Sequence, residues 1–128
     1  MRCGDAVYMA VPGVPIQHLW ILISEPDPDT SIGIMVSVTT LRHGHDQTVI
    51  LQPGDHPYII RPSAVYFGDA RLFDTRQIER DVLSGYVRRL ERFSPSLISE
   101  LQQGILVSPY TPNKMLHFCK RAFAKATE

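Results

Sequence analysis

Histidine and threonine are the side chains here with the most to offer chemically. The chain has five histidines, and imidazole is the group that exchanges a proton near neutral pH. His18 heads a run of β-formers, residues 18–24 (HLWILIS), and Thr39 and Thr40 close another, residues 32–40 (IGIMVSVTT). As adjacent antiparallel strands, the two runs would bring the His18 imidazole and the Thr39 hydroxyl into one pocket. The plain reading of the threonines is β-propensity and hydrogen bonding at a strand end. A second imidazole stands in Gly54-Asp55-His56-Pro57, where Pro57 restricts His56 to extended backbone and Gly54 permits a sharp turn before it. A rigidly presented histidine suits general acid or base work. The competing reading is a turn in which Asp55 caps amides and His56 packs on Tyr58. His43 and His45 flank Gly44 beside Asp46, a spacing that can ligate a transition ion. Two imidazoles in a flexible turn are ordinarily only solvated, so no metal and no other cofactor is expected. The chain has no GxSxG, HExxH, P-loop or dinucleotide fingerprint, which removes the main support for those reaction classes.

The elements that must hold these groups divide the chain into two halves. Residues 5–11 (DAVYMAV) read as a strand ended by Pro12-Gly13, and residues 18–24 and 32–40 as strands buried on both faces. The acidic, proline-broken residues 25–29 between them form an exposed loop. Residues 41–47 make a polar connection around Gly44. Short strands are then predicted over 48–51, 56–60 and 63–67, punctuated by Pro53-Gly54 and Arg61-Pro62. Several short strands before any helix imply a small barrel or rolled sheet. A helix is predicted over 74–83, capped by Asp74 or Thr75, while 86–93 is ambiguous between strand and helix. Ser94-Pro95 starts a helix firmly, with Ser at the N-cap and Pro at the first helical position. An amphipathic helix follows over 113–125, with Met115, Leu116, Cys119, Ala122 and Phe123 inward and Lys114, Lys120, Arg121 and Lys125 outward. The expected architecture is α+β: one domain, with a small antiparallel β-barrel core over 1–73 and a helical C-terminal extension over 74–128.

At 128 residues the chain can bury a core without staples, and its apolar share is that of a globular protein. Its longest apolar run, residues 19–23, is too short to cross a bilayer. No secretory signal pattern opens the chain, so a cytoplasmic location without membrane association is expected. Cys3 and Cys119 belong to no CxxC pair and are read as independent thiols. The zero formal net charge conceals an asymmetry. Acids dominate to Ala70, and bases (Arg88, Arg89, Arg92, Lys114, Lys120, Arg121, Lys125) dominate after it. That can present a positive face to a polyanion, or be an ordinary solvated helical surface.

Taken in order, these segments resemble the PemK/MazF-type toxins of toxin–antitoxin systems. The likeness spans roughly residues 4–73. It rests on Gly4-Asp5 before a strand, then on HLWILIS where the family carries Arg-Pro and an apolar strand. VSVTT stands for an apolar strand ending in Thr-Ser, and Ser63-Ala64-Val65-Tyr66, followed by Arg71-Leu72, for a Ser-x-Val-x segment. The resemblance implies an SH3-like barrel with appended helices, as also in the gyrase poison CcdB. It implies metal-independent endonuclease action on single-stranded RNA, a homodimer and a cognate antitoxin partner. Thr39 matches the family's catalytic threonine, but His18 stands in place of its arginine. Histidine, unlike arginine, also transfers protons. The site expected on this basis has His18, Thr39 and His56 as catalytic residues. Arg61 would stabilise charge, and Tyr58, Tyr66 and Phe67 would stack on bases. The alternative is a non-catalytic interaction module of the same fold, binding an antitoxin or other partner. The chain from Asp74 onward is longer than the family's usual tail.

Overall fold

The computed structural model describes residues 1–126. Strands β1 (Ala6–Val11), β2 (Val14–Leu22), β3 (Ile32–Thr40), β4 (Ile50–Leu51) and β5 (Ser63–Asp74) lead into helix α1 (Thr75–Leu83). Strand β6 (Arg88–Leu90) and helices α2 (Pro95–Val107) and α3 (Asn113–Ala126) complete the chain. The strands form one antiparallel sheet in the order β4-β5-β3-β2-β1-β6. It is a curled half-barrel: the short strands β4 and β6 are its two edges.

The continuous apolar runs of β2 and β3 have a direct cause, because the sheet is covered on both sides. Leu19, Ile21, Ile34, Val36 and Val38 face the main core, which Ile98, Leu101 and Ile105 of α2 and Met115 and Cys119 of α3 complete. Trp20, Leu22 and Met35 point the other way, into a second cluster with Val7, Met9 and Ile78 of α1. Alternate residues thus feed two cores, and no polar face is left to break the pattern. The helices sit where their caps predict. Asp74 accepts the Arg76 N–H, and Ser94 accepts the Leu97 N–H with Pro95 in the first turn. Within α2, Gly104 allows the helix to press onto the sheet: a Cβ there would lie 2.6 Å from Val49 Cγ2 and 2.8 Å from Phe67 Cζ.

Asp5 is a buried carboxylate of this frame. Its carboxylate accepts the Arg2 N–H at 2.9 Å, Arg89 Nη2 at 2.7 Å and Arg92 Nε at 2.9 Å. Those contacts fasten the edge strand β6 and the chain after it to β1, which decides the ambiguous stretch 86–93 in favour of a short strand. Two of the C-terminal bases therefore serve the fold.

The predicted strand over 56–60 is a turn instead. Pro57 has no N–H to give a ladder, and the Tyr58 N–H goes to His56 Nδ1 at 3.0 Å. Strand β5 is longer than predicted. It runs on through Asp74, with a register shift opposite Met35–Ser37 that absorbs Phe67–Ala70. Strand β2 begins four residues earlier than predicted, because the turn at Pro12-Gly13, with Gly13 at φ 82°, pairs Val14 directly with Val11. No helix of the described residues is long and apolar enough to cross a membrane.

Candidate functional site

One end of the sheet opens into a cleft of about 540 Å3. His18, Thr39, Thr40, Tyr8, Tyr58, Arg61, Gln17 and Ser63 are its polar lining, and no carboxylate lines it. The strand register explains the first two. Leu19 pairs with Val38 and Trp20 with Ser37, so the next step outward sets His18 across from Thr39 on the same face. Both residues are half-buried.

Each polar group is held differently. His18 Nδ1 lies 3.1 Å from the Ile16 carbonyl oxygen. A carbonyl can only accept, so Nδ1 carries the proton and Nε2 keeps a free lone pair. Among the described residues, neither the Thr39 hydroxyl nor the Arg61 guanidinium has a partner. Arg61's backbone is fixed instead, its carbonyl accepting the Ser63 hydroxyl at 2.8 Å. Tyr58 packs against Tyr8 with ring centroids 5.3 Å apart, and the Arg88 guanidinium lies over its ring at 5.8 Å. Loss of water, then the hydrogen bond and nearby hydroxyl of Tyr8, hold the Tyr58 phenol above its usual pKa, against a lowering pull from Arg88. The phenol stays neutral across the physiological range and puts no negative charge beside the cleft.

The other residues singled out by sequence separate. His56 is buried beneath the turn, 3 % exposed. Its Nδ1 accepts the Tyr58 N–H, its Nε2–H donates to the Glu91 carbonyl at 2.6 Å, and its ring stacks on Phe93 at 4.2 Å. With both nitrogens engaged and the ring covered, His56 holds the turn that presents Tyr58 and exchanges no proton with a molecule in the cleft. That corrects its expected catalytic role. Phe67 is fully buried in the main core and offers no face to a base. Strand alternation separates it from its neighbour Tyr66, which is exposed. Tyr66 lines a smaller niche of about 100 Å3 together with His45, Asp46 and Tyr110, and Thr39 is the residue this niche shares with the cleft.

The 43–46 turn is not arranged as a metal centre. Asp46 accepts the Thr48 hydroxyl and the Ser108 hydroxyl, each at 2.6 Å, and His45 Nδ1 accepts the Arg42 N–H at 3.0 Å. Among the described residues, no group of three or more His, Cys, Asp or Glu side chains could hold an ion. Sequence reasoning missed Tyr8, Gln17, Arg88 and Tyr110. Tyr8 and Arg88 are register partners on β1 and β6, a pairing with no local signal in either segment.

The chain matches no family model and no curated protein sequence. What stands on its own is a small antiparallel-sheet fold with C-terminal helices. The site chemistry must be read from the cleft.

What that lining can do follows from its parts. An imidazole with an unshared lone pair, an uncommitted hydroxyl and an uncommitted guanidinium surround a space without carboxylates. The set suits an anionic, hydroxyl-bearing ligand: the hydroxyl and guanidinium donate to the anion, and the imidazole takes a proton. The Tyr8–Tyr58 pair adds an aromatic wall.

Proposed function

We propose that this protein is a PemK/MazF-like toxin-type endonuclease that cleaves single-stranded RNA without a metal ion. The supporting observation is that His18, with Nε2 free, and Thr39, with its hydroxyl free, line one carboxylate-free cleft beside Arg61. In this reading the 2′-hydroxyl of a bound ribose gives its proton to His18 Nε2 and attacks the adjacent phosphorus. The P–O bond to the 5′-oxygen breaks, leaving a 2′,3′-cyclic phosphate, and the departing 5′-oxygen takes a proton from water to become a hydroxyl. Thr39 and Arg61 donate to the phosphate oxygens as charge builds on them. Tyr58, backed by Tyr8, gives a base an aromatic face, and unstacked bases are available only in single strands. The proton-accepting histidine in place of a permanent cation is consistent with a reaction driven by base catalysis rather than by charge alone.

The test is incubation of the protein with a single-stranded RNA in EDTA, with the DNA of the same sequence alongside. Products ending in 2′,3′-cyclic phosphate, uncut DNA and loss of cleavage in His18→Ala are expected. Intact RNA, or a His18→Ala protein as active as the wild type, would refute the proposal.

A second reading is favoured by one feature. Ile60 lines the cleft yet is 73 % exposed, and a free apolar side chain at a groove suits a protein segment better than a nucleotide. The occupant would then be an antitoxin-like peptide, and the protein a non-catalytic module. Ile60→Asp should abolish capture of such a partner while His18→Ala leaves it intact.

A further inference from the structure

We infer that a second cavity binds a small apolar zwitterion, in which an apolar side chain is carried between a free ammonium and a free carboxylate, as in an apolar amino acid or dipeptide. The cavity holds about 650 Å3 and lies between the C-terminal half of α3 and the acidic, proline-broken segment 25–30 that joins β2 to β3. It shares no lining residue with the cleft, and the inference stands apart from the RNA-cleavage reading.

The apolar body of the ligand is asked for by the floor. Ile32 and Ile34 of β3 and Leu72 of β5 form it, and Phe118 and Ala122 of α3 close one wall. Ile34 belongs to the main core, whereas Ile32 and Phe118 are half-buried and Leu72 is 37 % exposed. Apolar side chains left partly wet in a concave site gain when an apolar group covers them, and the volume is that of a small-molecule site. The facing wall is fixed in advance. The Asp27 N–H donates to the Ile32 carbonyl at 2.9 Å, and the Asp27 carboxylate accepts the Asp29 and Thr30 N–H groups at 2.8 and 3.0 Å. A loop tied in this way has little ordering left to lose on binding.

The charges choose the class of ligand. Glu25 and Asp27 line the loop side of the cavity, and Arg121 and Lys125 line the helix side. Lys125 is near enough to help hold the Asp27 carboxyl below its ordinary pKa, behind the stronger effect of the Thr30 and Asp29 N–H groups. Yet the ion pairs of the described residues all lie elsewhere. Glu25 accepts the Cys3 N–H at 3.2 Å, and the Arg121 guanidinium lies over the Phe118 ring at 5.1 Å. Opposite charges thus face each other across an apolar gap without closing it. A simple anion would meet two carboxylates on the far rim, and a simple cation would meet two bases. A zwitterion matches both rims. Its ammonium goes to Glu25 and Asp27, its carboxylate to the Arg121 fork and Lys125, and its side chain onto Leu72 and Phe118.

Isothermal titration calorimetry of the full chain tests this. The probes are L-leucine, L-leucyl-L-leucine, the N-acetyl and C-amide forms of each, and glycylglycine. Leucine, leucyl-leucine or both should bind with a Kd of about 1 mM or below, and the comparison tells an amino-acid site from a dipeptide site. Blocking either end should weaken binding about tenfold or more, because each block removes one charge-assisted contact. Glycylglycine, dipolar but without the apolar side chain, should bind about tenfold more weakly or not at all. Arg121→Glu and Leu72→Asp, with folds confirmed by circular dichroism, should each lower the affinity about tenfold or more. No binding of either leucine probe up to about 10 mM would overturn the inference. So would blocked forms that bind as well as the free ones, or unchanged binding in both variants. Neither outcome depends on whether the protein cleaves RNA.

Discussion

Thr39→Val separates the proposed chemistry from the fold, because the structure gives the hydroxyl nothing to do inside the protein. Val keeps the branched shape and the β-propensity of Thr and removes one donor. The Thr39 backbone remains paired with Ala64 across β3 and β5, and that pairing is unaffected. No internal hydrogen bond to the hydroxyl is lost among the described residues, and the side chain is half-buried, so unfolding free energy should change by about 0.5 kcal/mol or less. On a bound phosphate the same hydroxyl makes one hydrogen bond to a charged group, a contact of about 1.5–3 kcal/mol. At 1.36 kcal/mol per tenfold, its loss should lower kcat/KM for RNA by roughly 10- to 150-fold. Urea denaturation and initial-rate cleavage of a fluorophore-labelled single-stranded RNA measure the two effects independently. Full activity in Thr39→Val would show that the hydroxyl does not meet the phosphate. A loss of several kcal/mol in stability would show instead that it has a structural partner.

Other outcomes follow from the packing. His56→Ala removes two buried hydrogen bonds and the stack on Phe93, and should cost about 2–4 kcal/mol in urea denaturation. At a temperature where this variant stays folded, the pH profile of RNA cleavage should keep its shape, since His56 holds Tyr58 and transfers no proton. Gly104→Ala is a test in the opposite sense to helix propensity. The new methyl group would meet Val49 and the Phe67 ring at under 3 Å, so the melting temperature should fall, by the equivalent of about 1–3 kcal/mol. Burial raises the Cys119 thiol to about 11 from an ordinary 9.0. The folded protein thus resists ionisation that the unfolded chain undergoes. The stability from this residue is complete below pH 9 and is lost as pH rises towards 11, by at most about 2–3 kcal/mol. Urea midpoints measured from pH 8 to 11 should therefore fall less steeply for Cys119→Ala than for wild type.

How much of this was legible in the sequence depends on whether the signal was local. The boundaries of β3, the Ser94-Pro95 start of α2 and the amphipathic α3 follow from residue patterns read over a few positions. So does the antiparallel pairing of the run headed by His18 with the run closed by Thr39, although β2 extends back past His18 to Val14 and so places the imidazole mid-strand. The 56–60 stretch misled for an equally physical reason: its residues favour strand, but the His56 ring captures the amide a ladder would need, and no propensity encodes that. Burial of Asp5 by Arg89 and Arg92 spans more than eighty residues and fixes the assignment of 86–93.

The sequence by itself determined the elements and the supply of chemistry: two apolar central strands, a capped helical half, five imidazoles and two strand-end threonines. Tertiary structure alone decided which of those imidazoles face a cavity. Residue type gives every histidine the same proton chemistry. The partner on each ring nitrogen, and the loss or retention of solvent, depend on backbone carbonyls and amides that only folding brings within 3 Å or so. His56 was rigid in the sequence and proved rigid inside the core. His45, in a turn that looks merely solvated, was anchored by Arg42 and, through Asp46, by Ser108, a residue 62 positions beyond Asp46 in the chain.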